Sequence, residues 1–472
     1  MIPRLFGGRR RSGGATAASA EYNILLTATL CLLAFGAVMV FSASSTTQVL
    51  NDGSLSQSAY FLKRTVLFGV AGLLIMHLCA RHGLRVVRAL TPLILAASFF
   101  GLFAVLAIGT TVNGSTRWIG SGFLQFQPSE FAKAALVVYG AHVLAAKPRM
   151  VRSVSGMMPY LLVVGFACAL VVVQPDLGTA IVTTFAVAAT LVAAGARLRD
   201  LLLIAAVIGF VVMLAILFEP YRRERLIGFL NPGADAAGSG FQAMQAKIAL
   251  GSGGLTGVGL GAGVQKAFYL PEAHTDMISA VIGEEFGLVG IAGVVGLFGL
   301  FGYAGFRIAQ NARDRYGKLL AAGLTSLILV QAAINLYAVM GLAPLTGVPL
   351  PFVSYGNSSL MVCLASVGLI LGVARESAAG ARRRPSAGAT RRKAASGSKR
   401  PASKGAKRAT GARGATRPAA RAGRAGKLRV VEGGRTAARR RKGSSGAKSR
   451  DSRGGNRGAR SAGAGRRRRA SG

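Results

Sequence analysis

Cysteine is nearly absent from this 472-residue chain, and the four that occur, Cys31, Cys79, Cys168 and Cys363, all fall inside apolar runs. They have neither metal-ligand spacing nor loop positions, so no disulfide framework organises the chain; they read as small buried residues. Alternation of apolar and polar residues is missing too. The apolar runs are continuous and roughly 20 residues long, which excludes barrel strands and leaves membrane helices. Acidic residues are scarce, 16 against 57 basic. From Arg375 onward there are 32 basic and 3 acidic residues, so the net charge of +41 is mostly a property of the tail, and the remainder carries +12. No strand precedes the glycine-rich stretch 251–261 and no βαβ unit surrounds it, so its glycine spacings are not a dinucleotide fingerprint. They read instead as a mobile outer loop, or as backbone N–H groups able to approach a phosphate. Arg9-Arg10-Arg11 ahead of Ile24–Phe41 resembles a signal peptide, but the apolar stretch is too long for one and many more follow, so it reads as a retained first helix.

What is present is 51% hydrophobic residue content and 64 glycines. The runs give an all-α polytopic membrane protein of ten transmembrane helices, at about 22–41, 60–79, 90–108, 129–146, 157–173, 177–195, 201–218, 277–306, 319–340 and 358–374. The eighth is long enough to tilt or bend. Ser42-Ala43-Ser44-Ser45 begins a polar loop after the first. Arg/Lys-rich connections follow the even-numbered spans, which places both termini inside (N-in/C-in) and a large outer loop, Glu219–Asp276, between helices 7 and 8. The chain divides into a disordered basic lead, 1–20, a membrane domain, 21–376, and a disordered basic cytoplasmic tail, 377–472. The tail is suited to anionic lipid headgroups or an acidic partner, with no specific nucleic-acid recognition.

The unusual residues gather on the outer side. They are Arg117, Trp118, Gln127, Ser129, Glu130, Lys133, Asp176, the Arg222–Arg225 cluster, Glu272, His274, Asp276 and the stretch 351–355 that holds Ser354. Ionisable groups in or near a membrane domain are costly, which makes them functional candidates, and their shared side implies an outward-facing polar site. Asp276, between a proline-initiated turn and an apolar helix, is either a general base or the N-cap of the eighth span. Glu272 and His274 either support it, bind a cation, or are simply solvated. Glu130 and Lys133 share a helix face and read as a neutralised structural pair. Arg117 can fork onto phosphate oxygens. Trp118, the only tryptophan, is an interfacial anchor or a stacking platform. Asp176 reads as an N-cap, and Glu284 and Glu285 as structural. Asn113-Gly114-Ser115 matches a glycosylation sequon, a pattern often met by chance. The Arg222–Arg225 cluster breaks the charge rule; it either serves an anionic substrate or lies on anionic lipid.

Five blocks resemble the signature blocks of the SEDS family. They are Gly114–Ile119, Gln127–Lys133, Gln174–Thr179, Pro271–Asp276 and Pro349–Gly356, in the family order, and the likeness spans about Phe41 to Ala374. Pro271-Glu272-Ala273-His274, Ser42–Ser45 and the long tail bring it nearer to the cell-division members than to the rod-shape members. Asn357 stands where the family usually repeats glycine, and Met277 where it usually has phenylalanine.

The resemblance implies a ten-helix peptidoglycan glycosyltransferase that polymerises lipid II into β-1,4 glycan strands in the bacterial cytoplasmic membrane, at the division septum. It matches Asp276 to an essential aspartate, and Trp118, Glu130 and Lys133 to functionally important positions. Arg222 and Ser354 join as supporting candidates. It also implies a class B penicillin-binding transpeptidase and other divisome membrane proteins as partners of the enzyme, with lipid II and the growing glycan strand as its substrates. The leaving pyrophosphate calls for cationic stabilisation, from Arg117, the arginine cluster or a divalent cation such as Mg or Mn. Two other classes stand beside the enzyme: a flippase or transporter for a lipid-linked precursor, and a non-catalytic division scaffold.

Overall fold

The computed structural model describes residues 14–382 apart from 53–55, 113–114, 121, 123–124, 219–222, 224–226, 232–239 and 268. These lie in the first of two compact units, Met1–Ser398. The second, Lys399–Gly472, falls outside the described residues, and so does the bulk of the expected tail.

Eleven helices carry the described residues: α1 Gly14–Asp52, α2 Ser56–Leu78, α3 Leu84–Ile108, α4 Pro128–Ala146, α5 Val154–Val173, α6 Leu177–Ala194, α7 Leu198–Phe218, α8 Phe241–Gly253, α9 Ile278–Gln310, α10 Arg315–Val339 and α11 Asn357–Arg382. Seven helical runs among the described residues are long and apolar enough to cross a membrane. One of them, Tyr60–Ile108, is 49 residues long and joins α2 to α3 through a π-helical turn at Cys79–Gly83. Along it Phe61 packs on Tyr355, Met76 and Cys79 crowd Gly368 of α11, and Leu102 O accepts from Gln174. In α4, Glu130 and Lys133 lower the hydropathy of an otherwise apolar helix.

Three expectations change. The first helix does not stop at Phe41: Ser42 to Ser45 continue it, because Ser44 Oγ bonds back to Val40 O at 2.8 Å and Ser45 Oγ to Ser42 O at 2.9 Å. The last helix runs to Arg382, past Ser377 where the tail was expected to begin. The all-α reading also gains an antiparallel hairpin, β1 Thr110–Val112 with β2 Ser115–Trp118. The sequence signal for it was Asn113-Gly114 between β-branched residues, a strong hairpin dipeptide.

α10 is the hub, packed against α4, α6, α9 and α11. Its Ala321, Ala322 and Gly323 are buried. Small residues allow close helix approach where lipid supplies no hydrophobic drive between helices.

The expected bend in the eighth span is a break. Gly287 in α9 has φ 63° and ψ −155°, outside the helical region and open to glycine. The break frees backbone groups that would be costly in hydrocarbon. The glycine-rich stretch after α8 takes them up: Val258 N donates to Glu284 O, Gly259 N to Glu285 O, Leu288 N to Gly254 O and Val289 N to Leu255 O, at 3.0–3.2 Å. A Cβ at Gly257 would stand 2.1 Å from Glu285 O, so only glycine allows this approach. The stretch is thus docked, not the loose loop that its composition suggested.

Candidate active site

Pro271–Asp276 leads into α9, whose cap position is held by Met277 with no side-chain cap bond. Asp276 is therefore one residue short of the position that the N-cap reading required. Its backbone carbonyl accepts from Asn335 Nδ2 on α10 at 2.8 Å, and the same amide donates to Val348 O at 2.8 Å. Ser279 Oγ donates in turn to Asn335 Oδ1. One buried asparagine so ties the start of α9 to the loop between α10 and α11.

That loop walls the carboxylate. Gly347, at φ 67°, has no side chain, and a Cβ there would lie 3.8 Å from Asp276 Oδ2. Tyr355 N donates to His274 O at 2.9 Å, and the His274 ring packs between Phe61 and Tyr355, at 4.8 and 5.5 Å between centroids. Burial in this aromatic setting holds the imidazole below its ordinary pKa, against the pull of the Glu272 carboxylate. Burial likewise raises the Tyr355 phenol, opposed by the Arg64 guanidinium 5.8 Å from its ring. Thr275 Oγ1 stands between two carboxylates, 2.8 Å from Glu272 Oε2 and 3.3 Å from Asp276 Oδ1. Glu272 itself is exposed and has φ 54°.

A turn of α10 away from Asn335, Gln331 Nε2 donates to Pro349 O at 3.0 Å, while its Oε1 accepts from Lys133 Nζ at 2.8 Å. Lys133 Nζ also donates to Glu130 Oε1 at 2.8 Å. Both charges are buried, and the pair is linked through Gln331 to the segment beside Asp276. Asp176 caps α6 by accepting from Thr179 N at 3.1 Å, as its place after a proline suggested. Its other oxygen accepts from Gln127 Nε2 and Ser129 Oγ, both at 3.3 Å.

Other candidates are placed less directly. Arg117 turns its guanidinium to Gln174 O and Pro175 O, with Asp176 Oδ1 at 4.0 Å, so the Gln174–Asp176 turn holds the fork proposed for phosphate. Trp118 is half-buried in the hairpin. Ser354 Oγ accepts from Leu350 N at 2.8 Å and shapes its own turn. Arg222 lies outside the described residues.

Reading along the chain missed Arg64, Gln331, Asn335 and Lys266. Arg64 is buried on α2 and reaches Asn357 as well as the Tyr355 ring. Lys266, fully buried, donates to Glu285 Oε1 at 2.5 Å and to Ser42 Oγ at 3.0 Å. The signal available for it was a lone lysine in an apolar, glycine-rich setting. Among the described residues no three His, Cys, Asp or Glu side chains converge to hold a metal.

The model of the FtsW/RodA/SpoVE family, described as cell cycle protein, matches residues 23–379. The chain belongs to that family. It is 39% identical over 358 residues to a probable peptidoglycan glycosyltransferase FtsW of Trichlorobacter lovleyi, covering 75% of this chain and 93% of that one. It is 40% identical over 359 residues to the stage V sporulation protein E of Bacillus subtilis, covering 75% and 97%. Among solved structures, a chain from work described as "Structural coordination of polymerization and crosslinking by a peptidoglycan synthase complex" matches at 29% identity with a TM-score of 0.62, over 75% of this chain and 97% of that one. The FtsW/RodA/SpoVE match covers every residue of the cluster around Asp276, and it makes the bundle a polytopic membrane fold of that family.

Proposed function

We propose that this peptidoglycan glycosyltransferase polymerises lipid II with Asp276 as its general base. The observation that carries the assignment is the setting of Asp276: off the cap position, pinned by Asn335 through its backbone, and facing the gap at Gly347. Asp276 takes the proton of the acceptor sugar's 4-hydroxyl. That oxygen attacks the anomeric carbon of the donor, and polyprenyl pyrophosphate leaves. A single displacement at an α-linked donor gives the β-1,4 bond by inversion. Trp118, Glu130 and Lys133, with Glu272, His274, Ser354, Arg117 and Arg222, make the supporting set. A divalent ion, where bound, would neutralise the pyrophosphate.

Ten crossings with both termini inside put this chemistry on the outer face, as the charge pattern supports. The sequence features shared with division members support a septal role. A class B transpeptidase is the partner this reading expects, in keeping with the complex of polymerisation and crosslinking named for the structural neighbour.

The flippase reading draws on one observation, the broken helix α9, since interrupted helices line transport sites. Here the chain's own residues 254–259 fill the break with backbone bonds. Asp276→Asn separates the two readings. It should fold and insert as the parent does and form no glycan from purified lipid II in proteoliposomes. A fully active variant would remove Asp276 from the base role.

A further inference from the structure

Resting on Asp276 as the base, we infer that Thr275 and Glu272 form a proton relay that returns Asp276 to its carboxylate form after each transfer. A base that abstracts a proton in an enclosed site must lose it before the next turnover. Asp276 is only partly exposed and is walled by Gly347 and the loop around it, whereas Glu272 is exposed to solvent. Between them stands one hydroxyl with one proton. Thr275 Oγ1 lies 2.8 Å from Glu272 Oε2 and 3.3 Å from Asp276 Oδ1, so it can donate to only one of the two carboxylates at a time.

The backbone gives an independent reason to look at Glu272. At φ 54° it occupies the left-handed region, which glycine or asparagine fills more readily. A glutamate held there carries a backbone cost, and such strain clusters at functional sites. The turn holds its acid in spite of that cost, with Thr275 Oγ1 also bonded to Glu272 O at 3.0 Å.

The acceptor hydroxyl O–H bond breaks and its proton goes to Asp276 as the new C–O bond forms and pyrophosphate departs. Asp276 then donates that proton to Thr275 Oγ1 while the threonine's own proton passes to Glu272 Oε2. Glu272 releases it to bulk water, and a rotation of the Thr275 hydroxyl resets the relay. Thr275 and Glu272 are positioning and relay residues; Asp276 alone touches the substrate.

Four variants, Asp276→Asn among them, test this on the full-length protein in proteoliposomes with lipid II. Glu272→Gly removes the acid and relieves the backbone. It should keep or raise the melting temperature and lower kcat about tenfold, a fraction of the effect of losing a general base outright, with KM within twofold. Thr275→Val should do the same to kcat, and Thr275→Ser should restore it. Added imidazole, a diffusible proton acceptor, should recover most of the lost turnover in Glu272→Gly and Thr275→Val but none in Asp276→Asn. Parental kcat in both Glu272→Gly and Thr275→Val overturns the relay, as does a loss that imidazole leaves unchanged. Activity in Asp276→Asn would instead overturn the base assignment on which the relay rests.

Discussion

Asn335 Nδ2 lies 2.8 Å from the backbone carbonyl of Asp276, although 59 residues of chain separate the two. The bond is made to the main chain of Asp276 and so fixes where its carboxylate begins without competing for it. The second hydrogen of the same amide holds Val348 O, so the turn and the loop that faces it are placed by one side chain.

Asn335→Leu keeps roughly the same volume and removes both carbonyl bonds, together with the bond accepted from Ser279 Oγ. Each of the two stranded carbonyls costs about 1–3 kcal/mol, so stability should fall by roughly 2–6 kcal/mol. Displacing the reacting group by about 1 Å costs up to 100-fold, and polymerisation should fall 10- to 100-fold. Thermal unfolding and lipid II polymerisation on the same preparation check both. Parental turnover in a destabilised variant would make Asn335 a packing residue only.

Lys133→Met should be severely destabilising, by about 3–5 kcal/mol, because it leaves Glu130 charged and buried without its partner. The double variant Glu130→Gln, Lys133→Met should recover most of that stability. It should still fail to make glycan, since the pair touches the loop beside Asp276 through Gln331. Glycan synthesis in the stable double variant would reduce the pair to a structural one.

The His274 ring predicts a pH dependence with a definite sign. Its folded pKa lies below the ordinary value of 6.5, so the folded chain favours neutral imidazole and the unfolded chain takes up a proton first on acidification. The stability it contributes is complete above about pH 6.5 and is lost as pH falls through the lowered folded value. Melting temperatures followed from about pH 8 to about pH 5 should drop more steeply in the parent than in His274→Phe, which keeps the aromatic packing. Equal slopes would count against the burial of a neutral ring.

Much of the site was legible because its chemistry is local. Pro271–Asp276 announced itself by two carboxylates and a histidine before an apolar run, and Asp176 by its place after a proline. The rest was not, for a physical reason: a buried polar group is explained by its partner, and partners come from far along the chain. Ser42 meets Glu285 across 243 residues, and Lys133 meets Gln331 across 198. Gln331 and Asn335 look like ordinary polar interruptions of an apolar helix until the loop they hold is folded over them. The glycines of 251–261 were misjudged because composition reports freedom in the isolated chain, and here the break at Gly287 supplies the bonds that remove it.

That break also sets how force would travel through the molecule. Leu288 and Val289 donate their backbone N–H groups to the carbonyls of Gly254 and Leu255, and the same stretch runs on to Lys266, locked on Glu285, and then to Pro271. The stretch 254–266 and residues 284–289 of α9 are thus spliced rather than merely adjacent. A tug on residues 254–266 is borne by α9 at Glu284–Val289, two to four turns beyond Asp276, so the loop and the helix that begins beside Asp276 move as one piece.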